Sequence, residues 1–153
     1  QRSQYIIKFL RQSAVNSWAN ILASNFISDD SLVSNRTKER AFCAPLYLYP
    51  DEQDLDQTRR VNFDPKLYKK LQKLATHPDC GTPDEVASFD YIYGVLHCPD
   101  YRETYREFLK IDFPRIPWPA SPDQFWQISD AGQTLRRLHL MEPAAIGETP
   151  YPF

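Results

Sequence analysis

The hydrophobic periodicity of the chain changes near residue 60, and this change divides the sequence into two parts. Before it, side chains alternate with a period of two in residues 5–10 and 42–49, which is typical of β-strands, and a third apolar run spans Trp18–Ile27. After it, apolar residues recur at spacings of three and four, which is the helical period. We therefore predict an α+β fold, with a small, mostly antiparallel sheet from the N-terminal part and about four helices from the C-terminal part.

Proline constrains the strand predicted over residues 42–49. Pro45 lies inside this run and has no N–H to donate to a neighbouring strand. The strand is therefore predicted to lie at a sheet edge or to bend at Pro45. Turn-forming residues between 29 and 35 separate it from the preceding apolar run.

Capping residues mark the predicted helix starts. Asp64-Pro65 fits an N-cap followed by a first helical proline, Thr82–Glu85 fits a capping box, and Ser121-Pro122 opens the last helix. A fourth, short helix is predicted to begin at Asp100–Glu103. The buried face of the first helix is predicted to comprise Leu67, Leu71, Leu74 and Ala75.

Two proline-bearing segments are predicted to be non-helical. Phe113–Pro119 contains three prolines, which fix extended dihedral angles, so it should form a stiff connector over the core. Pro143–Phe153 has no periodicity. The expected organisation is a domain over residues 1–142 followed by a tail over 143–153, and the early strand pattern suggests a domain of a longer polypeptide.

Composition excludes several functional classes. The chain has 153 residues and a net charge of −2, whereas independent nucleic-acid-binding domains are usually strongly basic. It has only 4 glycines and no glycine-rich dinucleotide or triphosphate loop. No apolar stretch approaches the roughly 20 residues of a membrane helix. Three cysteines, Cys43, Cys80 and Cys98, favour free thiols in a reducing cytoplasm.

Metal and nucleophile patterns are weak. His77, Cys80, His97 and Cys98 lack the paired spacing of a structural zinc site, and adjacent His97 and Cys98 would diverge on a helix. An acidic stretch near residue 54 lacks the glycine and the alternation of a calcium loop. This stretch contains Asp51, Glu52, Asp54 and Asp56. No metal site is predicted.

Basic residues are concentrated in two regions despite the acidic total. Between Gln57 and Lys73, six basic residues stand against one acid, and residues 1–28 contain three basic residues and no acid. Such local excess attracts phosphates, although a solvated basic helix face is an equally good explanation. The loop Asn35–Arg40 carries residue types that hydrogen-bond to base edges.

Eight stretches of the chain, taken together, carry a family resemblance. They are Arg11-Gln12, Ser24–Asp30, Ser34–Glu39, Pro45–Tyr49, Phe89–His97, Pro99–Arg102, Phe108–Pro117 and Leu138–Leu140. In this order they resemble the C-terminal specificity domain of type ISP restriction-modification enzymes and their relatives. The similarity extends from about Arg11 to Glu142, and FLKIDFPRIP is its most specific part.

This resemblance implies a domain that recognises a double-stranded DNA site. In such enzymes one polypeptide joins a nuclease, a helicase-like motor, an adenine-N6 methyltransferase that uses S-adenosylmethionine, and this terminal domain. The sequence has neither an NPPY-type methyltransferase motif nor a Walker loop. The chain alone is therefore expected to be non-catalytic and to bind no cofactor of its own.

The resemblance and the basic regions together predict two sets of DNA contacts. Candidate base or backbone contacts in the β-rich part are Arg11, Gln12, Asn25, Asn35, Arg36, Thr37, Lys38 and Arg40. Candidate phosphate contacts are Lys66, Lys69, Lys70, Lys73, Arg102, Lys110 and Arg115.

Two alternatives belong to other functional classes. The first is a protein-interaction module that docks a partner through Trp118, Trp126 and exposed tyrosines. The second is a small hydrolase that uses His97, for which the sequence supplies no evident paired base and orienting group.

Overall fold

The computed structural model describes residues 5–10, 18, 21–26, 41–51, 53 and 55–147. Its elements confirm the predicted α+β class, with strands before residue 62 and helices after it. The strands are β1 (Ile6–Leu10), β2 (Ile21–Ser24), β3 (Ala41–Pro45), β4 (Tyr47–Leu48) and β5 (Arg60–Val61). The helices are α1 (Pro65–Ala75), α2 (Glu85–His97), α3 (Pro99–Thr104), α4 (Arg106–Ile111), α5 (Pro122–His139) and α6 (Pro143–Ile146).

The strands form two small antiparallel sheets. The first has the order β2-β1-β3, and the second pairs β4 with β5. Pro45 ends β3, which is an edge strand of the first sheet, and the chain bends at Leu46 before β4 begins. Pro45 therefore lies at an edge and next to a bend, as predicted from its missing N–H.

Helices α2 and α5 form the centre of the helical part, and two glycines allow their backbones to touch. A Cβ atom on Gly132 would overlap the carbonyl oxygen of Asp90, and one on Gly94 would meet the backbone of Ile128. Arg136 Nε donates to Asp90 Oδ1 at 2.6 Å and its Nη2 donates to Oδ2 at 3.0 Å, with both side chains buried. A bidentate ion pair therefore joins the two helices across their closest contact.

The proline segment, residues 113–119, contains neither helix nor strand and packs against the core through Ile116, which confirms the predicted non-helical connector. Two buried tyrosines hold it: Tyr91 Oη donates to Pro117 O, and Tyr101 Oη donates to Arg115 O, both at 2.9 Å. Burial raises the pKa of each phenol to about 12. Both hydroxyls therefore keep the proton that they donate.

Three local predictions are corrected. The predicted capping box at Thr82 does not start α2, because Asp84 is the N-cap and accepts from Ala87 N at 2.7 Å. The short helix predicted to begin at Asp100–Glu103 is two helices that meet at Tyr105. The residues predicted for a non-helical tail include helix α6, whereas the division into 1–142 and 143–153 stays a prediction.

The predicted buried face of α1 is also wrong in part. Leu67 is 56% exposed and Leu74 is 38% exposed, whereas Ala75 is buried and Leu71 is half-buried. The inner face is rotated relative to the prediction, and on it Gln72 Nε2 donates to Pro83 O and Ala75 O accepts from the Trp126 indole N–H. Within the described ranges, no helix combines the length and the apolar character needed to cross a membrane.

Candidate nucleic-acid interface

Helix α1 presents four lysines to solvent on one side. Their spacing of i, i+3, i+4 and i+7 places them on one helical face, which we name the lysine face: Lys66, Lys69, Lys70 and Lys73. All four are exposed. With a rise of about 1.5 Å per residue, the lysine face extends roughly 10 Å along the helix axis.

The described part of the fold does not neutralise the lysine face. Among the described residues, no carboxylate lies within 4.0 Å of any of its four ammonium groups. The nearest acid in the sequence, Asp64, is the N-cap of α1, and its Oδ1 accepts from the backbone N–H groups of Lys66 and Leu67, both at 2.9 Å. The Asp64 carboxylate is therefore used to start the helix, and the four lysine charges stay available to an anionic ligand.

A groove borders the lysine face on the side of the proline segment. Its volume is about 330 Å³, and its lining includes four aromatic residues, Phe63, Tyr68, Tyr91 and Trp118. Lys70 Nζ lies 4.4 Å from the centre of the Trp118 ring, which is a cation–π contact. Trp118 is 42% exposed. The structure thus joins part of the lysine face to an exposed aromatic ring.

Arg102 is used mainly within the fold. Its Nε donates to Leu96 O at 2.6 Å and its Nη2 donates to Nδ1 of His97 at 3.0 Å. These contacts satisfy groups at the C-terminal end of α2. A phosphate contact by Arg102 stays a prediction. It would have to use guanidinium N–H groups that do not take part in these two hydrogen bonds.

Lys110 and Arg115 each contact a neighbouring acidic residue. Lys110 Nζ donates to Glu107 Oε1 at 2.9 Å, and this hydrogen bond lowers the pKa of the exposed Glu107 carboxyl. Arg115 is highly exposed, lies 3.6 Å from Asp112 Oδ2, and has its guanidinium 5.0 Å from the Phe108 ring centre. Exposed pairs of this kind are weak, so both cations remain candidates for phosphate contact.

Asn25 lies in an exposed turn after β2. Ser24 Oγ donates to Phe26 O at 2.7 Å and accepts from Phe26 N at 3.1 Å. The buried Lys8 also donates from Nζ to Phe26 O, at 3.2 Å. The backbone on the C-terminal side of Asn25 is therefore held in place, while Asn25 itself is exposed to solvent.

The remaining candidate base contacts lie outside the described residues, and their roles stay predictions. They are Arg11, Gln12, Asn35, Arg36, Thr37, Lys38 and Arg40.

The described residues offer little support for metal or hydrolase chemistry. They contain no group of three or more His, Cys, Asp or Glu side chains arranged to hold a metal ion. Burial, followed by the charges of Arg102 and His139, lowers the pKa of His97 to about 4. A general base works best with a pKa near the working pH, so His97 is poorly suited to that role.

The contact between Trp118 and Lys70 is not visible in the sequence. The sequence marks Trp118 as an aromatic that could dock a partner and Lys70 as a phosphate contact, but it does not place the two together. They are far apart along the chain, and only the path of the proline segment over the core brings them into contact. The signal in the sequence that could have drawn attention to Trp118 is its position between two prolines, Pro117 and Pro119.

Comparisons with known proteins find one family and similar solved structures. The family model described as "Type ISP C-terminal specificity domain" matches residues 1–152. A solved structure described as a DrdV-DNA complex is similar to 98% of this chain, with 27% identity and a TM-score of 0.69. The ATP-dependent Type ISP restriction-modification enzyme LlaBIII bound to DNA is similar over 100% of this chain, with 20% identity and a TM-score of 0.69.

The chain spans only a small part of these two structures, 13% of the first and 9% of the second. No curated protein matches the chain.

Proposed function

The chain belongs to the Type ISP C-terminal specificity domain family, and on this premise we propose that it recognises the DNA site of a restriction-modification enzyme. The observation that carries the proposal is the lysine face of α1, where four exposed cations have no carboxylate partner among the described residues. The DNA complexes of DrdV and LlaBIII, which share this fold, support it.

The electrostatics fit a domain that contributes part of a larger DNA grip. Phosphate contacts supply affinity and register, whereas contacts to base edges supply sequence specificity. The lysine face supplies the first kind of contact. Because the net charge is −2, strong independent binding to any DNA is not expected, and the phosphate grip is shared with other domains.

The chemistry is assigned to other domains of the same polypeptide. The parent is proposed to be an adenine-N6 methyltransferase with nuclease and motor domains, and this chain is its non-catalytic part. S-adenosylmethionine would bind the methyltransferase domain, since this sequence contains no glycine-rich cofactor loop. The small share of each related structure that the chain spans supports a multidomain parent.

Base-edge contacts are proposed for the β-rich part. Asn25, in its held turn, is the described member of this set, and Arg36 and Lys38 are its main cationic members. Alanine at Arg36 and Lys38 in the full-length polypeptide should reduce site-specific methylation. Unchanged methylation would reject their assigned role.

The salt dependence of DNA binding tests the lysine face. Replacing its four lysines with alanine should weaken binding of the full-length polypeptide to duplex DNA and reduce the slope of log K against log salt by up to about 3.6, or about 0.9 per phosphate. The matched control replaces Arg106 and Arg137, two exposed cations that are paired with glutamates. An equal loss in the control would contradict the proposal.

The protein-interaction alternative is not favoured. An apolar docking surface would bind its partner with little dependence on salt, whereas phosphate binding weakens steeply as salt rises. The same titration therefore separates the two functions.

A further inference from the structure

The groove beside the lysine face has a second feature that phosphate binding does not use. Trp118 forms part of the groove wall. Tyr91 also lines the groove but is buried, and its ring stacks on Phe125 with 4.9 Å between ring centres. Phe63 and Tyr68 also line the groove, with their ring centres 5.2 Å apart. The groove therefore offers a mainly apolar surface, with the exposed Trp118 ring in its wall, next to a row of cations.

The polar residues of the groove are few. Asn62 Nδ2 donates to Pro45 O at 2.9 Å, which fixes its amide, and Asp64 caps α1. A planar, partly polar ligand with adjoining negative charge would match both the aromatic lining and the lysines. An unpaired nucleotide has this chemistry, because its base presents two π-faces and its phosphates are anionic.

We propose that this groove binds one unpaired nucleotide, with its base against Trp118 and its flanking phosphates on Lys66 and Lys70. The inference rests on the proposed function and deepens it. Bases inside a duplex are stacked and paired, so a base can enter the groove only from single-stranded DNA or after leaving the helix. The lysine charge beside the groove favours a nucleic acid over an apolar peptide, which would gain nothing from it.

The test compares a short single-stranded oligonucleotide with an abasic oligonucleotide of the same length. The two carry the same phosphates, so the difference between their affinities for the 153-residue chain isolates the contribution of the bases. From the usual strength of base–aromatic stacking, we expect the normal strand to bind roughly 5- to 150-fold more tightly. Alanine at Trp118 should remove most of this preference.

Two control variants keep the test independent of folding. Trp118→Phe retains an aromatic ring and should keep much of the preference, whereas Tyr105→Ala removes an exposed aromatic that does not line the groove and should leave it unchanged. Urea unfolding of each variant checks that the fold is intact.

The outcomes separate this inference from the proposed function. If the chain binds normal and abasic strands equally while duplex binding keeps its salt dependence, the nucleotide site is wrong and the proposed function stands. A preference that survives in Trp118→Ala also overturns the nucleotide site. If no DNA binds and the lysine variants of the full-length polypeptide bind duplex normally, both proposals fail.

Discussion

Helices α1 and α5 both carry several cations, but they use them in different ways. On α5, Arg136 is buried and paired with Asp90, and Arg137 donates to Glu142 Oε2 at 3.1 Å. On α1, the lysine face is exposed and has no carboxylate within ion-pairing distance among the described residues. The described cations of α5 are paired with carboxylates of the fold, whereas those of α1 have no carboxylate partner among the described residues.

The energetics of the two helices point the same way. A buried ion pair is costly to break, because the remaining charge is left without a partner. Like charges three or four residues apart on a helix instead destabilise it, by about 0.2–0.5 kcal/mol per pair. Every lysine of the lysine face has such neighbours, so the face is expected to reduce stability slightly, which agrees with its proposed role in DNA binding.

The largest expected effect on stability follows from removing Arg136, the partner of Asp90. Arg136→Met leaves the Asp90 carboxylate buried without its bidentate donor and should reduce the free energy of unfolding by about 3–5 kcal/mol, measured by urea denaturation. The control is Asp90→Leu combined with Arg136→Met, which removes both charges and should be less destabilised than the sum of the single variants. Additive losses would show that the pair is not coupled.

An intermediate effect is expected for His97, which receives a hydrogen bond from Arg102, another cation used by the fold. Its pKa falls from 6.5 to about 4 on folding, chiefly through burial, so the unfolded chain binds the proton more readily. Stability is therefore retained above pH 6.5 and lost as pH falls towards 4, by up to about 1.4 kcal/mol per pH unit. His97→Gln should remove this part of the dependence in urea denaturation across that range. Parallel stability profiles for the two proteins would contradict it.

The sequence predicted the starts of α1 and α5 correctly, because the signals that mark them are local. Asp64 and Ser121 are N-caps in the structure, and both helices begin with the proline that follows. Local signals of this kind depend on residues within one or two helical turns and are therefore visible without the fold.

The sequence could not predict which cations the fold would use. Arg102 and Lys70 look alike as basic residues on helices, yet Arg102 binds the end of α2 whereas Lys70 lies over Trp118. The rotation of α1 that exposes Leu67 depends in the same way on distant partners. Tertiary contacts decide these points, and a single sequence does not display them.

The smallest expected effect is an increase in the free energy of unfolding, whereas most substitutions lower it. Replacing Lys66 and Lys69 with alanine removes most of the like-charge pairs on α1 and should raise the free energy of unfolding by about 1 kcal/mol at low salt, measured by urea denaturation. The gain should shrink as salt screens the charges. Arginine at both positions keeps the repulsion and should show no gain. A loss of stability in the alanine variant would mean that these lysines serve the fold, which would remove the contrast between α1 and α5.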